Sequence, residues 1–249
     1  MPSRSASLRA RNRADLVREI VAEGRRQLAV DGAAALSLRA VARELGMVSS
    51  AVYRYVASRD ELLTLLIIDA YDAVADAVEK ADANVDRDDL TGRWVAASQA
   101  VRTWAVAHPH EYALVYGSPV PGYRGNEQTT TAAVRLTTVL GSILRDGSTA
   151  VAGGSLAPGR WTTDSRPGDV LVADLRKLMS TPVFAFPDGA PADIDPALTM
   201  RGLMAWVQVF GLVSFELYGQ FANAVHEVDA MFSHAVELMA DDLFAPLAN

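Results

Sequence analysis

Cysteine is absent from this chain of 249 residues, and lysine is nearly so, supplying 2 of its 23 basic side chains against 21 from arginine. Without a thiol there is no disulfide framework, no thiolate nucleophile and no cysteine-ligated zinc site. Long apolar runs are missing as well. The most apolar stretch, 202–215, contains Gln208 and falls short of the roughly 20 residues that a bilayer span requires. The opening segment, MPSRSASLRARNRADL, carries Arg and Ser but no apolar region of the secretory kind, so the chain reads as soluble and cytoplasmic, with no membrane partner. Phosphate loops, nucleotide-binding glycine fingerprints, nucleophile–base spacings and metal motifs are all lacking, which argues against an enzyme. What remains is a chain that is 50% hydrophobic and rich in alanine, as packed helices require. It is long enough for one small domain and one larger one.

The most informative stretch runs from 37 to 62, SLRAVARELGMVSSAVYRYVASRDEL. Leu38, Val41, Ala42 and Leu45 fall at i, i+3, i+4 and i+7, which puts one apolar stripe on a short helix. Ser37 precedes the stripe where a hydroxyl caps free N–H groups, and Gly46 follows it as a residue able to end a helix in the left-handed conformation. A second short helix begins near Ser49 and carries Val52, Tyr53, Arg54 and Tyr55. Ser58 with Glu61 three residues on then forms a capping box that opens a third helix. Two such short helices cannot hold a core alone. Their use is to project the second helix outward, and the major groove of B-DNA admits one.

Charge is partitioned to match. Residues 1–60 hold 11 arginines against 6 acids, a net of +5, whereas the other 189 residues carry 12 basic against 24 acidic groups, a net of −12; together these give the −7 of the whole chain. A confined basic segment binds nucleic acid while the acidic remainder turns away from it.

Leu38-Arg39-x-Val41-Ala42-x-x-Leu45-Gly46, then Ala51-Val52-Tyr53-x-Tyr55, then Ser58-Arg59-Asp60-Glu61-Leu62-Leu63 resemble the DNA-binding domain of the TetR family of bacterial transcriptional regulators. The resemblance implies an all-α homodimer, usually a repressor, that leaves its double-stranded DNA operator when a small molecule enters the C-terminal domain. It implies DNA contacts at Ser37, Arg39, Ser49, Ser50, Ala51, Tyr53, Arg54, Tyr55 and Arg59. Ser37, Tyr53 and Arg59 are expected to position the protein on phosphates, and Ser50, Ala51 and Arg54 to read bases. Two departures stand out. Val48 occupies the place where many members carry a capping Ser, a role Ser49 is expected to take over, and Val56 replaces the usual aromatic.

The expected organisation is a basic flexible arm over 1–12, a three-helix DNA-binding domain over 13–65, and a larger helical ligand-binding and dimerisation domain over 66–249. The first helix is expected from 13 to 31, stopped by Gly32, with Gly24 in its apolar row marking a close approach by another helix. The fourth, 59–81, bridges both domains and is the expected mover. Further helices are expected over 88–107, from Pro109 to 116, and over 126–145, 168–179, 197–221 and 227–244, with Gly/Pro-rich loops over 147–168 and 182–196.

In the second domain, the run from His108 to Tyr123 and Trp206-x-x-x-Phe210-Gly211 resemble the TetR subgroup named for a Trp-His-Gly signature, with Phe210 in the His position. Trp94, Trp104, Tyr112, Tyr116, Trp206 and Phe210 are candidates to line a largely apolar ligand site, and Phe184 and Phe186 to cover its mouth. Met204, Val207, Gly211, Phe215, Met231, Phe232, Val236 and Met239 give the last two helices more apolar positions than a wet surface needs. Two such pairs about a two-fold axis form a four-helix bundle. Pro109 separates His108 from His110, and i, i+2 residues share no helix face, so neither a metal nor another cofactor is expected. A ligand-independent architectural DNA-binder is the competing reading.

Overall fold

The computed structural model describes residues 4–154, 168–179, 181 and 194–245, and among these it contains ten helices and no strand. In chain order they are α1 (Arg4–Ala35), α2 (Leu38–Glu44), α3 (Ser49–Val52), α4 (Arg59–Ala83), α5 (Leu90–Ala107), α6 (Pro109–Tyr116), α7 (Glu127–Ala152), α8 (Asp169–Met179), α9 (Pro196–Leu217) and α10 (Val228–Phe244). Two compact units divide the chain: Met1–Asp72 with His108–Ala132, and Ala73–Ala107 with Ala133–Asn249.

The first unit is built on the helix-turn-helix. Ser37 caps α2, accepting from the Ala40 N–H at 3.4 Å, and Gly46 turns the chain at φ 64°. The Ser58 hydroxyl accepts the Glu61 N–H at 3.1 Å, the cap expected at the start of α4, while the Glu61 carboxylate reaches one residue past the cap to accept from the Ala57 N–H at 2.6 Å. Ile20, Leu38, Val41, Ala42, Val52, Val56, Leu62, Leu63 and Leu66 make the core. Gly24 lies where a Cβ would come within 3.2 Å of Leu62 Cδ1, so the close approach expected from its place in the helical row is made by α4.

α1 starts at Arg4, nine residues earlier than the sequence alone suggests, and takes in most of the segment expected to be a flexible arm. Residues 4–12 contain neither Gly nor Pro, and Ala, Leu and Arg all favour helix. At the other end the helix continues to Ala35, but Gly32 itself sits at φ 75°, ψ 168°, so the break falls where the glycine is expected to put it.

α6 belongs to this unit too. Leu114 of α6 and Val120 and Tyr123 beyond it pack on the helix-turn-helix core. The Tyr123 and Thr64 hydroxyls are hydrogen-bonded at 2.9 Å. Arg25 of α1 pairs with Asp69 of α4 and, at 3.4 Å, with the Glu111 carboxylate of α6.

In the second unit Arg93 is 1% exposed. It reaches the carboxylates of Asp82 and Asp146, each at 2.7 Å, and donates to the Ser142 hydroxyl at 3.3 Å. Arg102 grips Glu216 through two bonds of 2.7 Å and also pairs with Asp229, tying α5 to α9 and α10. Asp195 caps α9, accepting from Ala197 N–H at 2.8 Å and Leu198 N–H at 3.0 Å. α7 continues to Ala152, past the loop start expected at 147. Glycine at 147 makes room for packing: a Cβ there would meet the Phe244 ring at 2.9 Å. Residues 155–167 of the loop expected over 147–168, most of the 182–196 loop, and Phe184 and Phe186 lie outside the described residues.

Candidate nucleic-acid interface

Val52 and Val56, both fully buried, anchor α3 and the turn after it to the core. With that side fixed, Arg39, Ser50, Tyr53 and Arg54 are exposed, Tyr53 at 43%. Ser37, Ser49, Ala51, Tyr55 and Arg59 are half-buried beside them. The arrangement offers hydroxyls and guanidinium groups to a polyanion, with two arginines, Arg39 and Arg54, able to bond phosphate or a guanine edge.

Three local details differ from what the sequence alone suggests. The cap position of α3 is Val48, with extended backbone (φ −70°, ψ 139°) and no side-chain bond, while Ser49 is the first helical residue and does not cap. The Val48 carbonyl takes the Ala51 N–H at 2.9 Å, so the turn closes through backbone alone. Arg59 is occupied: its Nη2 donates to the Ala33 carbonyl at 2.9 Å and the Ala34 carbonyl at 3.4 Å, joining the end of α1 to the start of α4. Arg13, part of the basic N-terminal segment, lies 5.3 Å over the Tyr55 ring and donates to the Arg54 carbonyl at 3.4 Å. That cation–π contact depends on how α1 passes the turn after α3, and sequence spacing carries no signal for it.

The six aromatic ligand-site candidates divide between the two units. Trp94 (1% exposed) and Trp104 (6%) are core residues of α5. Trp206 and Phe210 of α9 pack ring against ring at 4.3 Å between centroids, also in the second unit. Tyr112 and Tyr116 belong to the first unit, where Tyr116 meets Tyr71 edge to face at 5.9 Å and Tyr112 at 5.2 Å. Burial pushes the Tyr71 and Tyr116 phenols above the ordinary range, so both stay neutral. The Nε1 of Trp94 and the Oγ of Ser98, one turn apart on α5, are buried without a hydrogen-bond partner among the described residues.

A cavity of about 630 Å³ opens between α9 and α10, lined by Met204, Gln208, Gly211, Phe215, Leu238 and Met239 among others. Four of the eight seam candidates line it; Val207, 62% exposed, stands outside it. Phe232 and Val236 point into the unit's own core, being 1% and 0% exposed, and Met231 is half-buried. α9 is 22 residues long with mean hydropathy 1.3 over its most apolar 18-residue window, which is long and apolar enough to cross a membrane by those two measures alone. The apolar stretch 202–215 is only its middle, and the helix ends at Leu217, four residues before the end at 221 that the sequence suggests. Among the described residues no group of three His, Asp or Glu side chains could hold a metal.

Known proteins align with both parts of this arrangement. Residues 20–66 match the family described as bacterial regulatory proteins, tetR family, and residues 94–239 match the tetracyclin repressor-like C-terminal domain. HTH-type transcriptional regulators of Mycobacterium bovis and Mycobacterium tuberculosis are each 42% identical over 222 residues, covering 89% of this chain and 89% of theirs. A crystal structure of a regulatory protein, SCO4313, is 31% identical with a TM-score of 0.71, covering 96% of this chain and 98% of that one. At 16% identity, the TetR family transcriptional regulator PfmR from Thermus thermophilus shares the fold, with a TM-score of 0.51 over 92% of this chain and 99% of its own. A helix-turn-helix with an anchored recognition helix, joined to a helical C-terminal part that matches over most of its length, places the chain in the TetR family of transcriptional regulators, which act by binding DNA and are not enzymes.

Proposed function

We propose that this regulator is a homodimeric repressor of the Trp-His-Gly subgroup, acting in the cytoplasm and released from a palindromic operator by a small, largely apolar ligand. The observation that carries the DNA half is the exposed row Arg39, Ser50, Tyr53 and Arg54 around a helix whose two valines are fully buried. Ser37 and Tyr53 hold the backbone, Ser49 and Tyr55 flank them, and Ser50, Ala51 and Arg54 meet base edges. Arg59 acts by holding α4 to the end of α1.

Dimerisation is supported by Met204, Val207 and Phe215 on α9 and Leu238 on α10, each more than half exposed. Arg201, at the rim of the cavity, donates through Nη1 to the Asp242 carbonyl, while its Nε and Nη2 are buried and unpartnered among the described residues. A second copy, presenting the same exposed apolar residues of α9 and α10, supplies the cover. Arg201, Gln208 and Glu216 on α9 favour this cover over lipid. The ligand half rests on Trp94 and Ser98, whose paired unmet donors suit an apolar molecule bearing an acceptor. Trp206 and Phe210 on α9 are the candidates in the same unit to complete its wall. α4, which contributes residues to both units, carries the change, the ligand acting by its differential affinity for the two states.

The test is selection of bound duplexes from a random pool by the purified protein at two salt concentrations, repeated with Arg54→Ala. An enriched palindrome that survives the higher salt, with base preference relaxed in the variant, supports a dimeric base-reading regulator. Uniform weak binding that disappears with salt instead marks an architectural protein held by the electrostatic term alone.

A further inference from the structure

Val48 is 71% exposed, while the valines one and two turns after it, Val52 and Val56, are fully buried. It stands at the cap position of α3, where it makes no side-chain bond. Nothing about stability favours valine here. Ser, Thr, Asp or Asn at a cap stabilises the helix by bonding a free N–H, and an exposed valine forgoes the gain of burial. Its neighbours in the solvent-facing row, Ser50, Tyr53 and Arg54, are all polar or amphipathic, so Val48 contributes two methyl groups to a surface otherwise built for hydrogen bonding. Its β-branched side chain is stiff about χ1, and the extended backbone leading into the helix fixes where those methyls stand.

In the major groove the apolar feature of a base edge is the C5-methyl of thymine. We propose that Val48 is a specificity-determining residue that packs on a thymine C5-methyl in each half-site, selecting thymine over cytosine there. This rests on the reading that α3 enters the major groove, and it adds a base contact made without a hydrogen bond. Polar residues of the row supply the donor and acceptor part of the readout; Val48 supplies the methyl part.

Uracil tests this directly, because it lacks the methyl and keeps the O4 acceptor and the pairing edge. In the duplex obtained by pool selection, each thymine is replaced singly by deoxyuridine, and affinity is measured by fluorescence anisotropy for the wild type and for Val48→Ser. The wild type should lose about three- to fivefold at one thymine of each half-site, the scale of one buried methyl group, and Val48→Ser should bind thymine and uracil there equally. Serine at the cap preserves α3 and can strengthen phosphate binding overall, but the thymine-to-uracil ratio is insensitive to that gain. A wild type indifferent to every uracil, or a variant that loses as much as the wild type, overturns the proposal while leaving α3 as the reading helix. A pool that enriches no sequence removes the major-groove reading itself, and this proposal with it.

Discussion

Replacing Arg59 with alanine separates two roles that the same side chain could have on a DNA-binding surface. Its guanidinium makes one good bond to the Ala33 carbonyl at 2.9 Å and a long one to Ala34 at 3.4 Å, and its side chain is 32% exposed. Hydrogen bonds from charged groups contribute roughly 1.5–3 kcal/mol, and partial exposure places this one at the low end, about 1.5–2 kcal/mol. For a chain of this size such a loss lowers Tm by about 3–8 °C. Asp60, 3.7 Å away and 61% exposed, adds little, as surface ion pairs do. The assay is thermal unfolding at fixed protein concentration, paired with the dependence of log K on log salt for the pool-selected duplex. Arg59→Ala should lower Tm by that amount and leave the salt slope unchanged. Lysine, a point charge without the guanidinium fork, should recover only part of the loss. An unchanged Tm with a slope reduced by about 0.9, the signature of one lost phosphate contact, would refute the structural role and restore the phosphate-binding role that the motif alone suggests.

Arg93→Met leaves Asp82 without its cation and Asp146 with only the exposed Arg87, 2.8 Å away, and should cost about 3 kcal/mol by urea unfolding, the low end for a broken buried pair; adding Asp82→Asn and Asp146→Asn should restore part of it, and a single variant as stable as wild type would sink the argument. Gly24→Val forces a branched side chain against Leu62, where even a Cβ has 3.2 Å, and should destabilise by about 1–3 kcal/mol. Gly24→Ala should be close to neutral, since helix propensity gains about 1 kcal/mol against a contact that the end of Leu62 can relieve; equal melting of both variants would contradict this. A fragment of residues 1–72 should show no sharp thermal transition by circular dichroism, because it lacks Leu114, Val120, Tyr123 and Glu111; a transition at the Tm of the full chain would show that α6 is dispensable.

The helix-turn-helix is legible in the sequence because its signals are local. Ser37, Gly46 and the Ser58–Glu61 pair act within four residues of themselves, and the Leu38–Leu45 stripe is one helix reading its own period. Gly24 is legible for a related reason: a glycine in an apolar helical row has few explanations besides close packing. What escapes is tertiary. Arg59 carries the same charge whether it meets phosphate or two carbonyls 25 and 26 residues away. Gly147 looks like a loop residue until Phe244 is seen pressing on it. The aromatic candidates rest on residue type, and type does not say which unit a side chain joins; Tyr112 and Tyr116 join the first. Val48 is visible as a departure from the motif, but only its exposure gives the departure a use.

α6 adds a second route to the proposed ligand response, beside α4. With α6 in the ligand-binding part, as the sequence suggests, α4 alone would carry a signal. Instead the chain passes between the units three times, after Asp72, after Ala107 and after Ala132, and the segment between the last two crossings helps to build the helix-turn-helix unit. Glu111 on α6 is paired with Arg25 on α1, and Arg25 also holds Asp69 on α4. One guanidinium thus fastens α6 to both helices that support α2 and α3. Tyr123 is bonded to Thr64 one turn from the cap that starts α4. A strain applied at either end of 108–132 therefore acts on the packing beneath the recognition helix without passing along α4. For a ligand to bias operator binding it needs only to favour one arrangement of these joints over another, and a shift of a few kcal/mol in their packing is enough to change occupancy by orders of magnitude. On the proposed ligand response, the residues that build the core of the helix-turn-helix unit also serve as the route into it.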